Sequence, residues 1–112
     1  MLEIPAGGIN EGEDPETAVA REMREETGFR PRQVRKLTGF YSSPGYSTEY
    51  LYLYLATDLV RDPLAAEDTA GIEVMWVTPA HISEMIASGT IQDSKSIAGL
   101  LFYLKGRGSK EI

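Results

Sequence analysis

The sequence predicts an α/β sandwich, a mixed sheet held between helices, formed as a single domain over residues 1–112. Three observations predict it. A helix cap followed by proline occurs at Asp14-Pro15 and again at Thr78-Pro79, and Asp93 offers a third cap. Between the first two signals lie stretches of alternating apolar residues, the period of strands. The order is therefore helix, strands, strand, helix, helix.

Taken in order, residues 1–6 (MLEIPA) form the end of a strand entering the Gly7-Gly8 turn. Asp14 caps the first helix, Pro15 occupies its first position, where a missing N–H is no loss, and Gly28 stops it. Residues 30–32 are a basic turn around Pro31, and residues 34–41 a strand. Residues 42–47 (SSPGYS) have loop composition. In residues 49–60, Tyr50, Tyr52 and Tyr54 alternate with Leu51, Leu53 and Leu55, so both faces are apolar enough for a central strand or a subunit contact. A loop over 61–71 carries Pro63, Glu67 and Asp68, and residues 72–77 (IEVMWV) follow as a strand. The second helix runs to about Ser88 with Ile82, Met85 and Ile86 inward. The third runs from Ser94 to about Lys105 with an apolar stripe of Ile97, Leu100, Leu101 and Leu104, before a polar tail.

Composition narrows the function. A net charge of −6 disfavours a nucleic-acid partner, whose phosphates need a basic surface. An anionic small molecule stays possible where a bound cation reverses the local field. With no cysteine there is no disulfide, zinc–thiolate site or thiol nucleophile. No apolar run approaches the roughly 20 residues that span a bilayer, so no membrane is expected and a cytoplasmic location is.

The chemistry concentrates on the first helix. Glu22 lies three residues from Glu25 and four from Glu26, which puts three carboxylates on overlapping parts of one face. Like charges so spaced repel by about 0.2–0.5 kcal/mol per pair, and Arg21 and Arg24 are the cations nearby. A solvated acidic face is the plain alternative. A hard divalent cation resolves the repulsion, because such ions prefer oxygen ligands; magnesium suits a cluster that leaves room for phosphate oxygens, and manganese is possible.

The flanking residues favour the cation. Gly7, Glu13, Arg21, Glu22, Met23, Glu25, Glu26, Gly28 and Phe29 match all nine fixed positions of a 23-residue pattern, the Nudix box. On these residues the chain resembles the Nudix hydrolases, which cleave nucleoside diphosphates linked to another moiety. The resemblance implies a Nudix-type α/β/α sandwich. It also implies that residues 2–7 sit mid-domain after several strands, so the chain is expected to be the C-terminal part of a typical member, N-terminally truncated. It adds the backbone carbonyl of Ala6 to Glu22, Glu25 and Glu26 as metal ligands, with Arg21 and Glu13 paired behind them to pin the loop to the helix. It implies a carboxylate base before the 72–77 strand, where Glu67 and then Asp68 stand, with the box glutamates Glu25 and Glu26 as alternatives. His81 is expected to be exposed and without a catalytic part.

Within the family, a proline about fifteen positions past the box resembles the mark of the ADP-ribose pyrophosphatases. Pro44, followed by Gly45, lies fifteen after Phe29. The opening LEIPAG and closing GTIQDSKSIAGLLFYL resemble the same subfamily. The implied reaction is ADP-ribose plus water giving AMP and ribose 5-phosphate. In such relatives the adenine is held by N-terminal residues that this chain is expected to lack. The sheet edges left by the missing strands lead to the expectation of a homodimer. Another nucleoside diphosphate derivative, or a non-catalytic Nudix module, remains an alternative.

Overall fold

Asp14 opens α1 (Pro15–Thr27): its carboxylate accepts the Thr17 N–H at 2.8 Å, satisfying a donor the first turn leaves unpaired. Gly28 closes the helix at φ 80°, a left-handed conformation natural to glycine, with its N–H on the Arg24 carbonyl at 3.2 Å. The computed structural model describes residues 1–66 and 69–108. Their elements are α1, β1 (Phe29–Tyr41), β2 (Tyr50–Arg61), α2 (Pro79–Ala87) and α3 (Ser94–Gly108). This is the α/β class expected.

Two compact units divide the chain. Pro5–Phe40 and Tyr52–Val74 form the first, with α1, most of β1 and β2, and Ala18 as its buried apolar residue. Met1–Ile4, Tyr41–Leu51 and Met75–Ile112 form the second, which contains α2 and α3 and buries Ile82 and Ile91. The sheet of the described residues is the pair β1–β2, antiparallel across a connecting loop.

β1 begins at Phe29, so residues 30–32 are strand and not a turn. A two-stranded sheet leaves each strand one unpaired edge, and the missing N–H of a proline is harmless there. Pro31 is buried within β1. Residues 72–77 form no strand, and all six are exposed. Alternation makes a segment competent to pair, but a ladder needs a second strand, and among the described residues none lies beside it. Residues 1–6 likewise belong to no ladder.

The tyrosine face of β2 is not covered as a central strand would be. Tyr50 and Tyr52 are exposed. Tyr50 meets Tyr41 edge to face at 4.9 Å, and the Lys36 ammonium sits 5.1 Å from the Tyr52 ring centre. In α2, Thr78 and Pro79 start the helix and Ile82 is buried, with Met85 and Ile86 half-buried. In α3 the buried line is Ser96, Gly99 and Gly106, while Leu101 is exposed. Of the expected stripe, Ile97, Leu100 and Leu104 are half-buried. Asp93 caps α3, accepting the Ser96 N–H at 3.0 Å and its hydroxyl at 2.6 Å. The Ser96 oxygen in turn accepts the Ile4 N–H at 2.9 Å, tying the first residues to α3.

Candidate active site

Residues 5–13 lie along α1 and are held there by one side chain. Arg21 donates from Nε and Nη2 to the two carboxylate oxygens of Glu13 at 2.9 and 3.0 Å. This is the paired, two-pronged geometry that makes arginine–carboxylate contacts strong. Its Nη2 also donates to the Gly8 carbonyl at 2.8 Å. Glu13 closes a turn of its own, with its N–H on the Asn10 carbonyl and its carboxylate accepting the Asn10 N–H, both at 3.0 Å. Hydrogen bonding from Arg21, then from Asn10, holds the Glu13 carboxyl below the usual range. The same pairing, Glu13 foremost, raises Arg21 further above its already high value.

The remaining nitrogen of Arg21 faces the carboxylates of its own helix. Nη1 donates to Glu22 Oε1 at 2.9 Å and to both oxygens of Glu25 at 3.3 Å. The repulsion expected between these glutamates is thus met by an internal cation, one residue before Glu22 and four before Glu25. The third carboxylate, Glu26, reaches the loop and accepts the Ala6 N–H at 3.4 Å. Among the described residues no three acidic, histidine or cysteine side chains are gathered closely enough to enclose a cation. Glu22 and Glu25 are turned on Arg21 instead.

Gly7 makes the loop's approach to the helix possible. A Cβ at this position would overlap the carboxyl group of Glu22. The loop therefore presents bare backbone to that carboxylate, with Ala6 beside it on Glu26. Carboxylate oxygens are the donors that a hard divalent ion prefers.

The other predicted positions belong to the second unit or lie outside the described residues. Glu67 and Asp68 lie outside them. Pro44 and Gly45 belong to the second unit, in a turn closed by Tyr46 and Ser47 N–H groups on the Ser43 carbonyl at 3.0 and 2.8 Å. His81 is exposed on α2, 3.8 Å from Glu84. One anchoring group had no sequence signal. Arg24 donates from Nε to the Asp62 carbonyl at 2.9 Å and from Nη2 to its carboxylate at 3.3 Å, which Arg30 also meets at 3.0 Å.

With that geometry in place, comparison with known proteins is decisive. The family profile described as the NUDIX domain matches residues 1–100. The chain belongs to the Nudix family. It is 35% identical over 98 residues to the ADP-ribose pyrophosphatase of Bacillus subtilis (strain 168), over 86% of this chain and 53% of that one. It is 33% identical over 111 residues to the GDP-mannose pyrophosphatase of Klebsiella pneumoniae subsp. pneumoniae, over 96% of this chain and 56% of that one. The chain spans about half the length of the curated relatives it matches. Its fold is also similar to that of a crystal structure described as ADP compounds hydrolase. The TM-score there is 0.80 at 23% identity, covering 89% of this chain and 56% of that one. The Nudix fold is thus shared, and the box residues lie on its loop and first helix. No helix among the described residues is long and apolar enough to cross a membrane.

Proposed function

We propose that this chain, as one Nudix domain over residues 1–112, serves the hydrolysis of the pyrophosphate bond in ADP-ribose or a related ADP-sugar. Water attacks one phosphorus, the P–O–P bridge breaks, and AMP and a sugar phosphate leave. The observation that carries the reading is Glu22 seated against Gly7 while Glu26 reaches Ala6, which sets acidic oxygens and bare backbone side by side. Relatives named ADP-ribose pyrophosphatase support the substrate.

Glu22, Glu25, Glu26 and the Ala6 carbonyl would hold magnesium, with manganese as a substitute. When bound, the ion neutralises phosphate charge and makes water a better nucleophile. Arg21 and Glu13 keep the loop on the helix, so that ligands from both stay in register. Glu67 is the first choice for the base that takes the water's proton, with Asp68, Glu25 and Glu26 behind it. Pro44 and Gly45 belong to the substrate loop. A homodimer completes the reading, since Met75 and Trp76 offer exposed apolar surface to bury. A small nucleotide substrate and the acidic net charge fit a cytoplasmic protein without nucleic-acid partners.

A second reading takes GDP-mannose or another nucleoside diphosphate derivative as substrate; the GDP-mannose pyrophosphatases among the relatives favour it. A panel of ADP-ribose, ADP-glucose and GDP-mannose, with and without magnesium, decides between them. Phosphatase-coupled release of phosphate reports cleavage, because the intact substrates have no terminal phosphate. Magnesium-dependent release from ADP-ribose is expected. Release from GDP-mannose alone selects the second reading, and saturable binding without product makes the chain a non-catalytic module.

A further inference from the structure

The proposed cation site is already filled by a charge of the chain's own. We propose that Arg21 is a resident counter-ion which Glu22 and Glu25 exchange for the divalent cation, while Glu13 and the Gly8 carbonyl keep its other two nitrogens in place. This inference rests on the metal reading above and concerns how that site is emptied and filled. Nη1 is the only Arg21 nitrogen on the helix carboxylates, at 2.9 Å from Glu22 and 3.3 Å from Glu25. Nε and Nη2 are committed to the loop at 2.8–3.0 Å. The guanidinium is planar and rigid, so the loop contacts can persist while the Nη1 contacts break. An arginine so placed offsets the repulsion between Glu22 and Glu25 in the metal-free protein. It also competes for the same oxygens, so cation affinity is set below what the glutamates alone would give.

The test uses the full chain, without substrate, and Mn2+ as the probe, with binding followed by electron paramagnetic resonance of the free ion. Arg21→Gln loses the loop contacts as well as the Nη1 contacts, so it is compared with Glu13→Gln, which weakens the loop pairing and leaves Nη1 on the helix. Arg21→Gln is expected to bind Mn2+ about threefold to tenfold more tightly than Glu13→Gln, the factor that one or two partly exposed ion pairs carry. Its metal-free thermal midpoint should fall, and the gap should narrow at saturating Mn2+. Binding by Arg21→Gln equal to or weaker than that of Glu13→Gln overturns the exchange alone. A wild type that takes up no Mn2+ overturns the metal reading and the exchange with it. If Arg21→Gln does not fold, nitrogen-15 spectra of the wild-type arginine side chains during a Mg2+ titration decide. Arg21 Nη signals should shift while its Nε signal stays, and unmoved Nη signals at saturation overturn the exchange.

Discussion

The carboxyl group of Glu22 occupies the space that a Cβ on Gly7 would need. This one relationship explains why a glycine precedes the helix by so many residues and still belongs to its chemistry. The strain in a Gly7→Ala protein would be relieved by moving either the Glu22 side chain or the loop. Arg21 opposes the second, holding Gly8 and Glu13 to α1. Glu22 is therefore expected to give way. Helix content measured by circular dichroism should stay, while Mn2+ affinity should fall at least about tenfold, as for other groups that orient a metal ligand. Wild-type affinity in Gly7→Ala would show that Glu22 is no ligand.

Glu26→Gln removes one negative charge while keeping the side chain's shape and an oxygen for the Ala6 N–H. Turnover should be lost and the thermal midpoint nearly unchanged, because glutamine keeps the side chain's shape and an acceptor for the 3.4 Å contact. Activity of the variant within a factor of a few of wild type would remove Glu26 from the chemistry.

What could be read from the sequence follows the range of each interaction. α1 was legible because Asp14, Pro15 and Gly28 act within one turn of themselves. α2 was legible from Thr78 and Pro79 for the same reason. Residues 72–77 failed as a strand because pairing is decided elsewhere in the chain. Pro31 misled in the opposite sense, since a proline forbids only the hydrogen-bonded side of a strand. In α3 hydrophobicity pointed to the stripe, of which Ile97, Leu100 and Leu104 are half-buried, but not to the fully buried Ser96, which is held by its hydrogen bonds to Asp93 and Ile4. At the site, the resemblance to the Nudix box implied that Glu13 and Arg21 belong together. It did not foretell that Arg21 also takes Glu22 and Glu25, although a four-residue separation permits the latter. Arg24 and Asp62, thirty-eight residues apart, had no local signature at all.

Asp93 gives a stability prediction with a definite pH dependence. Its carboxylate accepts from the Ser96 hydroxyl and N–H and from Lys95, and these, the Ser96 hydroxyl first, hold its pKa below the ordinary value. A depressed carboxylate stabilises the fold above its unfolded pKa near 4, and that contribution is lost as pH falls through the folded value. Asp93→Ala should therefore cost about 1 kcal/mol at neutral pH, the usual worth of a cap. In thermal unfolding this is a drop of roughly 4–8 °C for a domain of this size. As pH falls below the ordinary carboxylate value and through the lower folded one, the two proteins should converge, because wild-type Asp93 then loses its charge. Lys95 works in the other window. Burial opposes its charge, but Asp93 and Glu3 outweigh burial and raise its pKa, so its contribution persists below the ordinary lysine value and fades as pH rises past the folded one. A gap between wild type and Asp93→Ala that is constant from pH 2 to pH 7 would contradict the cap's role.

Trp76 reports on assembly. It is the one tryptophan of the chain and is 69% exposed, in a stretch where Met75 and Val77 are exposed as well. Exposed tryptophan emits at long wavelength, and burying it against a second chain moves emission to the blue. A homodimer that covers this stretch predicts a blue shift as concentration rises through the micromolar range, in step with a doubling of the mass by light scattering. Both changes should follow one dissociation curve, and Trp76→Lys should move that curve to higher concentration by leaving a charge to be desolvated in the contact. A doubled mass with unshifted emission would place the dimer contact away from Trp76. A mass of one chain throughout, with unshifted emission, would leave these residues as exposed surface and remove the homodimer from the proposed function.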